Sequence, residues 1–292
     1  MPVIEIENLI FNYSQNNKAE ATVLKNITFS LERGNILGII GKNGSGKSTL
    51  IKHFNGLLNP IKGSVKIFDK DIKEQKYRKD LWKKVGMVFQ FPEQQLFEDT
   101  VFNEIAYGLK NLGISKKEIE DKVLSSLKKV GLENEHIEGI SPLSLSGGTR
   151  RRVAIASILA MKPEILIFDE ITVGLDLKGR KKIMNIIKKI KNEDNITIII
   201  VSHNLEELIE VCTHIAALDN GQLIDFGEIN KVLKKKNIIE TYYEMYPDYI
   251  KLMYKLSKKY KHIEINSFDL ESIEKQLDEF LSHSNRIKYE KI

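Results

Sequence analysis

The sequence predicts an α/β fold: a mostly parallel core sheet, an antiparallel β subdomain at the start, an inserted helical subdomain and a C-terminal helical appendage. Three patterns carry this expectation. Short, almost wholly apolar runs recur at 35–40, 165–168 and 196–201, the mark of strands buried on both faces. Helical patterns separate these runs, and strands alternating with helices build a parallel sheet. Ahead of the first run, residues 3–9 and 23–31 alternate apolar and polar, the period of a strand with one wet face.

In chain order, 3–9 leads into Phe11-Asn12-Tyr13, and the polar stretch 12–20 reads as a loop. The strand at 23–31 runs through Ile27, Phe29 and Leu31, and Glu32-Arg33-Gly34 turns into the buried run at 35–40. A helix follows at 48–54. Strands are expected at 63–68 and 85–89, around a charged segment at 71–84. From 100 to 135 the pattern is helical, with Ile119, Val123, Leu127 and Val130 on one face, Leu124 beside them, and Pro92 and Pro142 bracketing the region. This is the inserted helical subdomain, about 97–150. A basic amphipathic helix at 178–192 and a helix at 204–212 flank the third apolar run. Asp219-Asn220-Gly221, between 215–218 and 222–226, is a hairpin signal. Beyond Gly227 the composition shifts to lysine, tyrosine and isoleucine, with Lys234-Lys235-Lys236 and Tyr242, Tyr243, Tyr246 and Tyr249. A capped helix is expected at 267–281, with Leu270, Ile273, Leu277 and Leu281 on one face. The expected division is 1–227 and 228–292.

The 292 residues are 42% hydrophobic and 29% charged, with a net charge of +5. That is ordinary for a globular chain with a sizeable core, and only mildly basic. One cysteine, Cys212, excludes an internal disulfide. The start lacks the basic and apolar regions of a signal peptide. No apolar run approaches the roughly 18 residues that cross a bilayer. The chain is expected not to span a membrane by itself, which leaves docking on one open.

Between the first apolar run and the helix lies Gly41-Lys42-Asn43-Gly44-Ser45-Gly46-Lys47-Ser48-Thr49, a phosphate loop of the form GxxxxGK[ST] in its proper strand–loop–helix setting. Its glycines let the backbone wrap an anion, and the helix N-terminus faces the phosphates. Lys47 is expected to reach the β and γ phosphates, and the Ser48 hydroxyl to ligate Mg²⁺. Asp169-Glu170 ends a buried strand, where Asp169 suits the metal and Glu170 the attacking water; without the phosphate loop, an exposed strand end would explain the pair. His203 follows the 196–201 strand, a candidate neighbour of the 165–168 strand, where a γ phosphate is within an imidazole's reach. The other histidines (His53, His136, His214, His262, His283) read as structural or exposed. Gln90 follows a strand and suits Mg²⁺ or the attacking water, although a glutamine at a strand end means little by itself. Leu145-Ser146-Gly147-Gly148 precedes a helix beginning near Arg150 and forms a second anion site, or else a glycine-rich helix cap. A chain that already has one phosphate loop suggests that this second site serves a different nucleotide.

These motifs, with Gly174-Leu175-Asp176, come in the order of the ATP-binding cassette (ABC) ATPases, and the resemblance covers about 3–227. It implies a P-loop NTPase fold and a head-to-tail dimer with two ATP molecules sandwiched between subunits. One subunit supplies the phosphate loop and the Glu170 base; the other supplies Ser146, Gly147 and Gly148. Asp176 would lie at the seam. Tyr13 matches the aromatic residue that stacks on adenine, a contact of about 1–3 kcal/mol that is tolerant of base identity. The stretch from Phe89 to Val101 (FQFPEQQLFEDTV), Arg151-Arg152-Val153-Ala154-Ile155-Ala156 and Lys178-Gly179-Arg180 resemble the energy-coupling factor transporters, importers of vitamins and cobalt or nickel ions, and in particular the second of their two ATPase subunits. That resemblance implies an ATP- and Mg²⁺-dependent subunit on the cytoplasmic face of the cell membrane. Its implied partners are a second ATPase subunit, a transmembrane coupling subunit docking near 90–97, and a membrane substrate-binding subunit. The C-terminal appendage would hold the two ATPases together. Thr149 stands where the signature usually has glutamine, and Ile171 and Leu177 where prolines are usual. A soluble cassette ATPase acting on nucleic acid or ribosomes is the alternative; the long coiled coil or second cassette usual there is missing, and no nucleic acid is expected.

Overall fold

In the computed structural model, strand β1 (Pro2–Phe11) pairs antiparallel with β2 (Leu24–Glu32) and, across the chain, with β4 (Lys62–Ile67). The structure describes residues 1–13, 22–133, 135–194, 196–260, 263, 265 and 267–289. Most of the loop expected at 12–20, His262 and the side chain of His283 lie outside them. With β5 (Lys70–Asp71) the first strands form a sheet ordered β2-β1-β4-β5. The intervening β3 (Ile36–Ile40) and helix α1 (Lys47–Phe54) belong elsewhere. β3 sits inside a second sheet ordered β10-β9-β3-β8-β7-β6. Its remaining strands are β6 (Val85–Val88), β7 (Ile165–Asp169), β8 (Thr197–Val201), β9 (His214–Asp219) and β10 (Gln222–Glu228). All neighbours there are parallel except β9 and β10, joined by the predicted hairpin, with Asn220 and Gly221 both at positive φ.

The apolar runs are explained by their two-sided burial. Leu37, Ile39, Ile165, Ile167, Ile199 and Val201 enter a core shared with the antiparallel sheet and α1. Their alternating neighbours, Ile36, Ile40, Leu166, Phe168, Ile198 and Ile200, enter a second core on the other face.

The charged segment at 71–84 holds a short helix, α2 (Gln75–Asp80), whose Tyr77 packs, like α1, on the first core. The second face carries the helices that follow. The helical region splits into α3 (Val101–Asn111), α4 (Lys116–Lys129) and α5 (Gly147–Ala160). A capping box starts α4, with Ser115 and Glu118 exchanging hydrogen bonds. Ile119, Val123, Leu127 and Val130 are buried, but Leu124 is 46% exposed, on the edge of that face. α5 starts at Gly147, not near Arg150, because the Ser146 side chain caps it by accepting the Thr149 N–H. α6 (Leu177–Asp194) and α7 (Leu205–Val211) complete the layer around β8. Cys212, after α7, is buried beside Gly38; burial pushes its thiol well above the ordinary range.

After β10, helices α8 (Ile229–Leu233), α9 (Lys236–Thr241), α10 (Asp248–Lys259) and α11 (Leu270–Tyr289) follow. Val232, Ile238, Tyr242, Tyr246, Ile250, Phe268 and Ile273 continue the apolar cluster of the second face. Asp269, rather than Ser267, caps the start of α11 by accepting the Ser272 N–H. Its hydrogen bonds with Ser267 and Ser272 pull its carboxyl down to about 2. On α11, Ile273 is buried, while Leu270 and Leu281 are 47% and 56% exposed. Among the described residues no helix is long and apolar enough to cross a membrane.

Candidate active site

The phosphate loop lies where the sequence placed it, between β3 and α1. Gly44 and Gly46 take φ of 78° and 100°, which L side chains rarely adopt. A Cβ on Gly41 would fall 2.3 Å from Ser45 Oγ and 2.5 Å from the Leu218 carbonyl, so no side chain fits there. No side chain caps α1 and no acidic residue sits in its first turn, so its positive end is open to an anion. Asn43 and Ser48 are exposed at the loop's rim. Ser45 Oγ is buried without a hydrogen-bond partner. Such an orphan is costly, and a bound anion would satisfy it. Lys47 curls over the loop, with Nζ donating to the carbonyls of Gly41 (2.8 Å) and Lys42 (3.1 Å). Burial pulls its ammonium below the usual lysine range, against the opposing pull of Glu170 and Asp169. At the helix's flank the Tyr13 hydroxyl meets Thr49 Oγ1 at 3.1 Å and its ring meets Phe11 edge to face. His53 takes the structural role expected of it: fully buried on α1, it bonds the Thr49 carbonyl, and burial lowers its imidazole to about 4.

Parallel pairing brings the acidic pair and His203 together. β7 and β8 are neighbours, with Asp169 opposite Val201, so Glu170 and His203 leave adjacent strand ends. His203 Nε2 lies 2.7 Å from Glu170 Oε1, and Gln90 Nε2 donates to Glu170 Oε2 at 3.1 Å. Both carboxylate oxygens of Glu170 are thereby engaged, and its own backbone is left-handed, φ 51°. The Ser48 hydroxyl donates to Asp169 Oδ1 at 3.4 Å. Burial, with Glu170 adding, pushes the Asp169 carboxyl above its ordinary range; Ser48, Lys52 and Lys47 pull the other way. A hydroxyl, a carboxylate and an amide are oxygen donors suited to a hard cation. Among the described residues no group of three or more His, Cys, Asp or Glu side chains is placed to hold a metal ion.

The Ser146-Gly147-Gly148 loop is elsewhere. Ser146 and Gly148 line an open cavity of about 410 Å³ with Thr149, Arg152, Asp176 and Lys182, and no residue of the phosphate loop lines it. All three are exposed. Asp176 Oδ1 accepts the Gly179 N–H, capping the start of α6. A Cβ on Gly147 or Gly148 would meet nothing within 4 Å, so nothing inside this chain requires glycine there.

Two buried supports have roles that the sequence did not disclose: Glu207, which no motif contains, and Arg151, which stands in a matching motif without an assigned contact. Glu207, on α7, accepts hydroxyls from Thr172 (2.8 Å) and Ser202 (3.0 Å), tying the loop after Glu170 to the turn before His203. Arg151, on α5, joins Glu93 to the carbonyls of Ile171 and Val173. Neither contact has a local signature: the partners of Glu207 lie up to 35 positions away, and those of Arg151 up to 58. A second groove, of about 270 Å³, is lined by Trp82, Pro92, Leu96, Phe97, Tyr107 and Met161. Phe97 and Tyr107 are 64% and 45% exposed and pack edge to face.

A family model described as ABC transporter matches residues 24–173. The energy-coupling factor transporter ATP-binding protein EcfA2 of Clostridium tetani is 42% identical over 275 residues, covering 94% of this chain and 96% of that one. The chain belongs to the ABC ATPases of energy-coupling factor transporters. EcfA2 of Clostridium acetobutylicum is 40% identical and covers 97% of this chain and 99% of its own. Among solved structures, cbiO1 from Clostridium perfringens, part of the ABC transporter complex cbiONQ, superposes with a TM-score of 0.73 at 32% identity, over 90% of this chain and 97% of that chain. The cassette MJ0796, solved as a dimer in a post-hydrolysis state with ADP and Pi, gives 0.69 at 29% identity over 77% and 98%. This energy-coupling factor ATPase therefore has the cassette fold and hydrolyses ATP.

Proposed function

We propose that this chain is the energising subunit of a membrane importer for a vitamin or a transition-metal ion. It would act at the cytoplasmic face with a second ATPase subunit, a transmembrane coupling subunit and a separate substrate-binding subunit. The observation that carries the catalytic part is Glu170, held at a strand end between Gln90 and His203 and beside the phosphate loop. The names of the relatives support the transport part.

In this reading Tyr13 stacks on the base. The amides of the loop from Gly41 to Thr49, including Asn43, Gly44, Ser45 and Gly46, receive the β and γ phosphates. Lys47 leaves the Gly41 and Lys42 carbonyls to reach them. Ser48, Asp169 and Gln90 would hold Mg²⁺, which when bound offsets phosphate charge. His203 turns from Glu170 to the γ phosphate, freeing Oε1 to accept a proton from the attacking water. Ser146, Gly147 and Gly148 serve the nucleotide on the partner ATPase, with Asp176 at the seam. The exposed glycines, which no internal contact requires, support that assignment. The apolar groove at Leu96 and Phe97 suits a helix of the transmembrane subunit. Helices in 228–292 would hold the ATPase pair together between cycles.

The test is the solution mass of the Glu170→Gln chain with Mg²⁺-ATP and then with EDTA, together with its turnover. Removing the base is expected to lower kcat by about 10²–10⁴-fold while ATP still binds. A mass that doubles only with Mg²⁺-ATP means the chain pairs with itself; a monomer with bound ATP means a sister ATPase completes the site. Unchanged hydrolysis would sink the catalytic assignment.

A further inference from the structure

Arg151 is 3% exposed and uses its whole guanidinium. Nε and Nη2 donate to Glu93 Oε2 and Oε1 at 2.9 and 2.6 Å, a bidentate pair. Nη1 donates to the Ile171 and Val173 carbonyls, both at 2.8 Å. The guanidinium also lies 5.9 Å from the Phe91 ring centroid. Burial by itself would push the Glu93 carboxyl up, but the Arg151 hydrogen bonds, a backbone hydrogen bond and the charges of Arg151 and Arg150 together hold it below its ordinary range. One side chain thus grips the stretch after Gln90 and the stretch after Glu170.

Both stretches contain a non-glycine residue in the left-handed region, Phe91 at φ 52° and Glu170 at φ 51°. Such backbones persist only where their surroundings over-determine them. Beside the direct Gln90–Glu170 hydrogen bond, Arg151 touches both: it lies against the Phe91 ring and bonds the carbonyl of Ile171, the residue after Glu170. A Cβ on Gly174 would sit in ordinary contact with the Phe91 ring, 3.5 Å from Cε1, and its φ of 78° is what favours glycine there.

We infer that Arg151 is a positioning residue for hydrolysis. Through Glu93 and the Ile171 and Val173 carbonyls it keeps Gln90 and Glu170 in register, and it carries displacement of the groove-lining segment 92–97 to Glu170. The inference rests on the catalytic reading of Glu170 given above. Lysine cannot substitute, because a single ammonium cannot make a bidentate carboxylate pair and also hold two carbonyls in a fixed plane.

The experiment compares wild type, Arg151→Lys, Glu93→Gln and the double variant as full-length chains in the ATPase assembly in which wild type hydrolyses ATP. Turnover is measured per bound nucleotide, beside KM and equilibrium binding of a fluorescent ATP analogue. Each single variant is expected to lose about 10–100-fold in kcat, as sub-ångström misplacement of a catalytic group does, with KM and binding within about twofold. The double variant is expected to fall no further than Arg151→Lys, because the two side chains act as a unit. A residue that serves stability alone would lower the active fraction and leave turnover per bound nucleotide unmoved. That result, kcat within about threefold of wild type, or additive losses would overturn the inference while leaving the role of Glu170 intact. If Arg151→Lys does not fold, Glu93→Gln decides by the same criterion. A wild type that hydrolyses nothing in any assembly would instead overturn the catalytic reading, and the inference with it.

Discussion

The two glycine-rich loops of this ATPase, at 41–49 and 146–148, differ in what surrounds them. Gly41 is walled in, with a Cβ there colliding with Ser45 Oγ and the Leu218 carbonyl; Gly147 and Gly148 face open space. The carboxylate serving the first loop, Glu170, has a partner on each oxygen and supports behind it in Arg151 and Glu207. The second loop has an exposed serine whose hydroxyl meets only Thr149 of its own helix. Gly41 is fixed by contacts inside the chain, whereas Gly147 and Gly148 meet none among the described residues. That contrast supports the role proposed for the second loop toward a partner's nucleotide.

Paired alanine substitutions break this comparison most sharply. Gly41→Ala is expected to overpack the loop, cost about 1–3 kcal/mol and abolish binding of a fluorescent nucleotide. Gly148→Ala is expected to leave nucleotide binding intact and to stabilise the chain by about 0.4–1 kcal/mol in urea unfolding, since its conformation suits alanine, while turnover falls. A Gly148→Ala chain of wild-type turnover would refute the external role of that loop. Glu207→Ala sharpens the enclosed half. It leaves the Thr172 and Ser202 hydroxyls without their acceptor, at an expected cost of about 1–3 kcal/mol, readable in thermal unfolding. Unchanged stability would show that those hydroxyls find other partners.

The smallest effect concerns Asp169 in the nucleotide-free chain. Its carboxyl is raised above its ordinary value mainly by burial, with Glu170 adding. A raised carboxyl binds its proton more tightly folded than unfolded, so ionising it costs stability as pH rises through the ordinary value and up past the raised one. Asp169→Asn removes that cost. Its melting temperature is expected to equal or exceed that of wild type at neutral pH, with the gain vanishing below the ordinary carboxylate range. The same variant is expected to lose the stabilisation that Mg²⁺-ATP confers on wild type. A lower melting temperature at neutral pH without nucleotide would contradict the account.

What was legible in the sequence was local or periodic. The phosphate loop is nine consecutive residues, and runs such as 165–168 and 196–201 announce strands buried twice over. Both end in polar residues at one edge of a parallel sheet, so Glu170 and His203 could be placed together before any coordinates. The supports could not. Arg151 and Glu93 lie 58 positions apart and Thr172 and Glu207 lie 35 apart, and no period links such pairs. Helix faces were read correctly in their centres and less well at their edges, where Leu124, Leu270 and Leu281 turn to solvent. Thr149 was noted only as a departure; that it bonds the signature serine depends on the start of α5, two residues before it.

The burial of Cys212 has a practical corollary. As the sole cysteine, enclosed beside Gly38 and Leu208 with a thiol that resists ionisation, it is a poor target for maleimide or methanethiosulfonate reagents. The native chain is therefore a ready background for site-directed labelling. A cysteine introduced at Leu143, 69% exposed and three residues before Ser146, would take a spin label or fluorophore with no prior engineering. Distances between labels on associating chains could then be followed through each ATP cycle.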